Sequence, residues 1–183
     1  MTNKLVIGIG GAGCYLASQI QSKISCHSLA IDKTGNFVGN HVFDKKMEIA
    51  EQDYNYSFLN ESFKTTLVHD VQQHIKNYST LVLPIGLGGY LGTTLGVEFA
   101  RFVKSMGIKT IAVVYLPFAF EKPRHKISLQ ALADLRACVD DLIIHDHATQ
   151  LVLNESQSML DYFIAAGQSM VNQLNNILSK PNA

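Results

Sequence analysis

The chain has 183 residues, 47% of them hydrophobic, which is enough for one domain with a substantial core. Lys plus Arg number 15 and Asp plus Glu also number 15, so the formal net charge is +0 and a chain-wide electrostatic hold on nucleic acid is excluded. The three cysteines (Cys14, Cys26, Cys138) form no CxxC pair, which argues against a disulfide scaffold or a zinc knuckle. No run approaches the roughly 20 apolar residues that span a bilayer. These features predict a cytoplasmic protein that engages neither nucleic acid nor membrane. Only 16% of the residues are charged, and a surface this weakly charged predicts apolar contact with a partner or a second copy.

Residues 5–9 are a β-branched run that ends in Gly10-Gly11-Ala12-Gly13. Leu16, Ile20 and Ile24 then recur at intervals of four, the spacing of a buried helical face. Residues 28–31 read as a second strand, closed by Asp32, and residues 33–56 as a polar excursion with a weak strand at 47–50. A helix over 58–78 carries Leu59, Phe63, Leu67, Val71 and Ile75 on one stripe. The apolar strand 81–85 meets a second glycine loop, and a helix over 95–105 stops at Gly107 before the strand 110–116. A helix carrying Leu132, Leu135 and Val139 precedes the strand 142–144. The last helix, 157–178, is read as turning Leu160, Phe163, Ile164, Val171, Leu174 and Leu178 inward. Strand and helix in strict rotation, with fully apolar strands, predict an α/β fold. It would be one domain over residues 1–183, with a doubly wound, mostly parallel sheet covered on both faces.

The first glycine loop follows a strand and opens a helix, where backbone amides can meet phosphate oxygens. Gly8, Gly10 and Gly13 satisfy GxGxxG, and Asp32 ends the next strand, placed to hold a ribose hydroxyl as in a dinucleotide site. Glycines in such a loop also serve close helix–strand packing. The second loop is Gly86-Leu87-Gly88-Gly89-Tyr90-Leu91-Gly92-Thr93-Thr94-Leu95-Gly96, again between a buried strand and a helix. His145-Asp146-His147 reads as polar residues at the sheet's carboxyl edge, not as a metal site.

Four segments in order resemble the nucleotide-binding domain of the FtsZ/tubulin family. They are the first glycine loop, Leu29-Ala30-Ile31-Asp32, the second glycine loop, and Ala112 through Glu121, which ends Pro117-Phe118-Ala119-Phe120-Glu121. The resemblance covers about residues 4–181 and implies that fold without its second domain. It assigns nucleotide contacts to Gly10, Gly11, Ala12, Gly13, Cys14, Asp32, Gly86, Gly88, Gly89, Tyr90, Leu91, Gly92, Thr93, Glu121, Arg124 and Gln168, and it assigns no catalytic or metal-binding residue.

The pattern is degenerate at several of these positions. Tyr90 and Leu91 replace a Gly and a Thr of the family's GGGTGTG loop; a leucine cannot donate a hydroxyl to phosphate, and a tyrosine can fill a phosphate's space. Cys14 and Tyr15 stand at Gly and Asn positions, and no GAGGN-like run occurs within residues 33–56. The family's Arg falls on His125, with Arg124 one place early. Gln168 stands where the family has a guanine-reading Asp, and an amide offers one acceptor where a carboxylate offers two. The Phe118–Phe120 pair is read as core packing.

The resemblance therefore implies a nucleotide-binding or pseudo-nucleotide-binding protein of the bacterial cytoskeleton or cell-division type. GTP or GDP would bind weakly, with ATP not excluded and Mg only alongside a triphosphate. The partner would be a second copy or a full-length relative. The sequence lacks the family's acidic loop, so no GTPase activity is expected of this chain alone. Two further readings are an active GTP-binding protein whose hydrolysis a partner completes, and an NAD or FAD dinucleotide-binding fragment built on GxGxxG and Asp32.

Overall fold

Every strand sends alternate side chains to opposite faces of a sheet, so a strand apolar at all positions needs a cover on both faces. The computed structural model, which describes residues 3–36, 41–50, 61–150 and 158–180, meets that need with a three-layer arrangement. In chain order the elements are β1 (Lys4–Ile9), α1 (Gly10–Gln21), β2 (His27–Lys33), β3 (Lys45–Ile49), α2 (Glu61–Ile75) and β4 (Thr80–Gly86), followed by α3 (Tyr90–Ser105), β5 (Lys109–Leu116), α4 (Lys122–Arg136), β6 (Asp141–Asp146), α5 (His147–Gln150) and α6 (Met159–Leu178). The strands form one sheet in the order β3-β2-β1-β4-β5-β6, with every neighbouring pair parallel.

One core takes Leu5, Ile7 and Ile9 of β1, Leu81, Leu83 and Ile85 of β4, and Ala112, Val114 and Leu116 of β5. Val71 and Ile75 of α2, Leu95, Phe99 and Val103 of α3, and Leu135 of α4 cover it. The intervening side chains, Val6, Ala30, Val82, Ile111 and Val113, point into the other core, under Leu16, Ala17 and Ile20 of α1 and Ala166, Met170 and Leu174 of α6. The predicted parallel α/β sheet with helices on both faces is thus observed.

Details differ from the sequence reading. α3 starts at Tyr90, well before Leu95, because Gly92 and Gly96 let the helix lie directly on β4. A Cβ on Gly92 would stand 2.2 Å from the Gly86 carbonyl oxygen, and one on Gly96 would stand 3.1 Å from Ile85. α4 ends at Arg136 and leaves Val139 in the following turn. On α6 the inward stripe is Tyr162, Ala166, Met170 and Leu174, each four residues on, so Leu160 (63% exposed) and Ile164 lie off it. Phe120 is also exposed, at 76%, and stacks on Phe118 outside the core. The expected Leu59 lies outside the described residues. Among the described residues no helix is long and apolar enough to cross a membrane.

Candidate functional site

The chain leaves β1 through α1 on one face of the sheet and leaves β4 through α3 on the other. Adjacent parallel strands whose crossovers depart to opposite sides leave a crevice at their carboxyl ends, where open α/β sheets take ligands. Both glycine loops lie there, beside a cavity of about 410 Å³. Ala12, Gly86, Leu87 and Gly89 form its glycine-loop wall. Glu121 and Arg124, from the start of α4, supply its charged groups, and Tyr15, Tyr115, His147, Leu160 and Phe163 form an apolar and aromatic wall.

The second loop is bonded mostly to itself. Gly88, at φ 86°, donates its N–H to Thr93 Oγ1 at 2.9 Å, and Thr93 N–H donates to the Gly89 carbonyl at 3.0 Å. Arg124 Nε donates to the Gly88 carbonyl at 3.1 Å, while the same guanidinium pairs with Glu121. Leu87 N–H ties the loop to β5 through the Tyr115 carbonyl at 2.9 Å. Leu91 is buried, and a Cβ on Gly10 would lie 3.4 Å from its own Cβ, so the two loops meet through an apolar contact. A hydroxyl and an amide that could cradle phosphate are committed to each other.

The first loop is more open. Gly10 adopts φ 70°, and α1, behind its N-cap Ile9, has no side-chain cap, just as α3 behind Gly89 has none, so first-turn amides, with those of the exposed Gly11 and Ala12 the most open, keep the capacity for an anion. Gly13 has a packing role instead: a Cβ there would sit 2.4 Å from the Pro84 carbonyl oxygen.

The aromatic wall is ordered by stacking. His147 lies between Tyr115 and Phe118, with ring centroids at 5.1 Å and 4.6 Å and near-parallel planes. Its Nδ1 is 2.7 Å from the Tyr162 hydroxyl, which is 2.8 Å from His145 Nε2. A phenol donates one hydrogen bond and accepts others, so one histidine accepts from Tyr162 and the other donates to it. Burial pushes the His147 imidazole down to about 4, with His145 adding to the effect, and burial lowers His145 as well. Both rings are therefore neutral at pH 7. The Tyr115 hydroxyl is buried with no hydrogen-bond partner among the described residues, and burial raises its pKa, with Tyr15 and Tyr162 adding to the shift.

Of the residues expected from the sequence, Ala12, Gly86, Gly89, Glu121 and Arg124 line the crevice. Gly10, Gly11 and Gly13 open α1 beside it, and Gly88, Leu91 and Gly92 shape the second loop. The other five do not line the cavity, and Tyr90 packs on the main core. Thr93 turns toward the α3–α4 groove. Asp32 is 2% exposed and accepts from Lys33 N–H at 2.8 Å and from Asn36 Nδ2 at 3.3 Å. Gln168 lies five residues beyond Phe163, on another side of α6, in the α1–α6 groove with Gln19.

Cys14 faces the second core and donates to the Gly8 carbonyl at 3.4 Å; burial pushes its thiol up to about 12. Iodoacetamide at pH 8 is therefore expected to alkylate native Cys14 at least about 100-fold more slowly than the urea-unfolded chain, because only the thiolate reacts. Peptide mass mapping over time checks this, and equal rates would contradict the burial. Of the wall residues, His147 was expected at the sheet's carboxyl edge near the crevice, whereas Tyr15, Tyr115 and Phe163 were not expected from the sequence as site residues. Their signal was positional: strand carboxyl ends and helix first turns converge at a switch point.

No family model matches the chain. The cell division protein FtsZ of Neisseria meningitidis is 28% identical over 175 residues, which cover 88% of this chain and 43% of that protein. The chain therefore spans less than half the length of that relative. In fold, an empty FtsZ dimer of M. jannaschii superposes with a TM-score of 0.78 at 22% identity, covering 97% of this chain and 54% of that one. A GTPgS-bound CetZ2 protofilament of Haloferax volcanii gives the same TM-score at 17% identity, covering 97% and 58%. The resemblance read from the four segments is borne out: the chain is similar to FtsZ in sequence and shares the fold of the nucleotide-binding half of FtsZ and CetZ.

Proposed function

We propose, for a chain similar to FtsZ in sequence and fold, a pseudo-nucleotide-binding role of the cytoskeletal, cell-division type, exercised by association with itself or with a full-length relative. The observation that carries this reading is the second glycine loop, whose Gly88 amide is spent on Thr93 while Leu91 seals it against Gly10. GTP or GDP fits the crevice in part. The aromatic wall suits the base, and the Glu121 carboxylate can accept from the sugar hydroxyls. The bare start of α1 at Gly11 and Ala12 is left to meet a phosphate. Bound nucleotide supplies no more than occupancy in this reading, with Mg entering only alongside a triphosphate. A crevice that holds its ligand without gripping the terminal phosphates has no means to drive their transfer, which depends on positioned donors.

The pure protein is therefore expected to release no phosphate from GTP above buffer, and to alter the sedimentation of full-length FtsZ or to self-associate in analytical ultracentrifugation. Steady release that Gly11→Asp abolishes would overturn the pseudo-nucleotide reading. A monomer with no effect on FtsZ would overturn the association.

A further inference from the structure

We infer that α1 and α6 together form a self-association surface, whose occupant is the same face of a second copy of this chain, set on it about a twofold axis near the middle of α6. This rests on the association reading above and names the surface that carries it.

The helices on the two sides of the sheet differ in charge. On one side α4 carries Lys122, Arg124, Lys126, Asp134 and Arg136. On the other, α1 has no charged residue in 12, and α6 has only Asp161 in 20. Asp161 is spent at the start of its own helix, where its carboxylate accepts from Ser158 N–H and its N–H donates to Ser158 Oγ. Residues 162–179 are an unbroken uncharged stretch, although Gln168, Asn172, Gln173, Asn175 and Asn176 are exposed. A helix face that meets only water normally carries charge, and depletion of Lys, Glu and Asp is the compositional mark of a protein interface.

The chemistry of that face selects a copy of itself. A singly charged face repels its own image, whereas a carboxamide both donates and accepts, so an amide face is complementary to itself across a twofold axis. A groove of about 510 Å³ lies between the two helices, and Gln19, Ser22, Gln168, Asn172 and Asn175 line it together with the buried Ile24 and Val171. Lys23 is the one charged residue among the described residues lining it, so a polyanion finds little hold there. Gln19 is seated over Gly167, where any Cβ would overlap its Oε1, and that buried oxygen has no hydrogen-bond partner among the described residues. Turning this carboxamide toward a second copy gives up no bond of its oxygen, and pairing it removes the cost of a buried acceptor left unpaired. Ile164, one helical turn before Gln168, is exposed and adds apolar area to the same side of α6.

Sedimentation velocity of the full chain over a range of concentrations, without nucleotide, tests this. The wild type should dimerise, with a dissociation constant that changes by less than about twofold between low and high salt, because no charges meet across the contact. Two double variants, Gln168→Lys with Asn172→Lys and Gln168→Glu with Asn172→Glu, place like charges about the middle of α6. Each should weaken the dimer by at least about tenfold. An equimolar mixture of the two should recover it, since opposite charges then face one another. Gln130→Lys, at an exposed position of α4, should leave the dimer unchanged. Circular dichroism melts confirm that each variant folds. A dimer that both double variants retain overturns this surface and leaves self-association standing. A mixture that does not recover, or a dimer weakened about tenfold by salt, overturns the twofold amide contact. A wild type that stays monomeric up to about 100 µM overturns the inference, and the proposed function then rests on full-length FtsZ alone. If such a monomer binds FtsZ and the double variants do not, the face belongs to the relative and the second copy is overturned.

Discussion

Gly92→Ala is expected to lose about 3 kcal/mol of folding stability, the upper end of what overpacking costs, whereas Gly11→Ala stays within about 1 kcal/mol of the unmodified chain. Both glycines belong to loops of the kind that cradles phosphate, yet their surroundings differ. A Cβ on Gly92 would stand 2.2 Å from the Gly86 carbonyl oxygen and 3.0 Å from its carbonyl carbon, both backbone atoms that can move only if α3 separates from β4. A Cβ on Gly11 would meet nothing nearer than Asp32 Oδ2 at 3.9 Å, an ordinary contact on an exposed turn. Urea unfolding followed by circular dichroism measures the difference. Equal losses would mean that the Gly92 glycine does not serve the packing of α3 on its strand. The same pair tests the ligand: Gly11→Ala should affect any bound phosphate more than it affects the fold, and Gly92→Ala the reverse.

The second large effect is a loss of stability in mild acid. His147 is 6% exposed and is held at about 4 in the folded chain, against an ordinary 6.5 when unfolded. Between those values the unfolded chain binds the extra proton, so stability is full above pH 6.5 and falls as the pH drops toward 4. From pH 7.5 to 4.5 the expected loss from this one group is about 2 kcal/mol. His147→Phe keeps an aromatic ring between Tyr115 and Phe118, gives up the hydrogen bond to Tyr162, and has no proton to take up. Its stability at pH 7.5 should be lower, and its decline toward pH 4.5 smaller than the wild type's by that same amount. Parallel declines in the two proteins would show that His147 does not carry the effect. His145 is lowered in the same direction, so some acid sensitivity should survive in the variant.

The sequence by itself determined the layers, because strand and helix are set by short-range geometry that composition records directly. A run such as Leu81-Val82-Leu83 can be satisfied only by cores on both sides, and it has them. The two glycine loops were also legible, since a strand that gives way to glycines and then to helical spacing is a local pattern; with Ala112 through Glu121 they were enough to bring FtsZ into view. Tertiary structure alone decided which side chains enter the crevice. Asp32 and Gln168 occupy plausible places in the chain, yet one is turned into its own loop and the other sits on a different side of α6. Thr93 looked like a phosphate donor and instead accepts from Gly88. The aromatic wall gathers residues from α1, β5, α5 and α6, more than 140 positions apart at its extremes, Tyr15 and Phe163. Periodicity is a property of neighbours along the chain, whereas a site is made by strand ends brought together through the sheet. The direction of each side chain there is settled by what it packs against, which no local pattern contains.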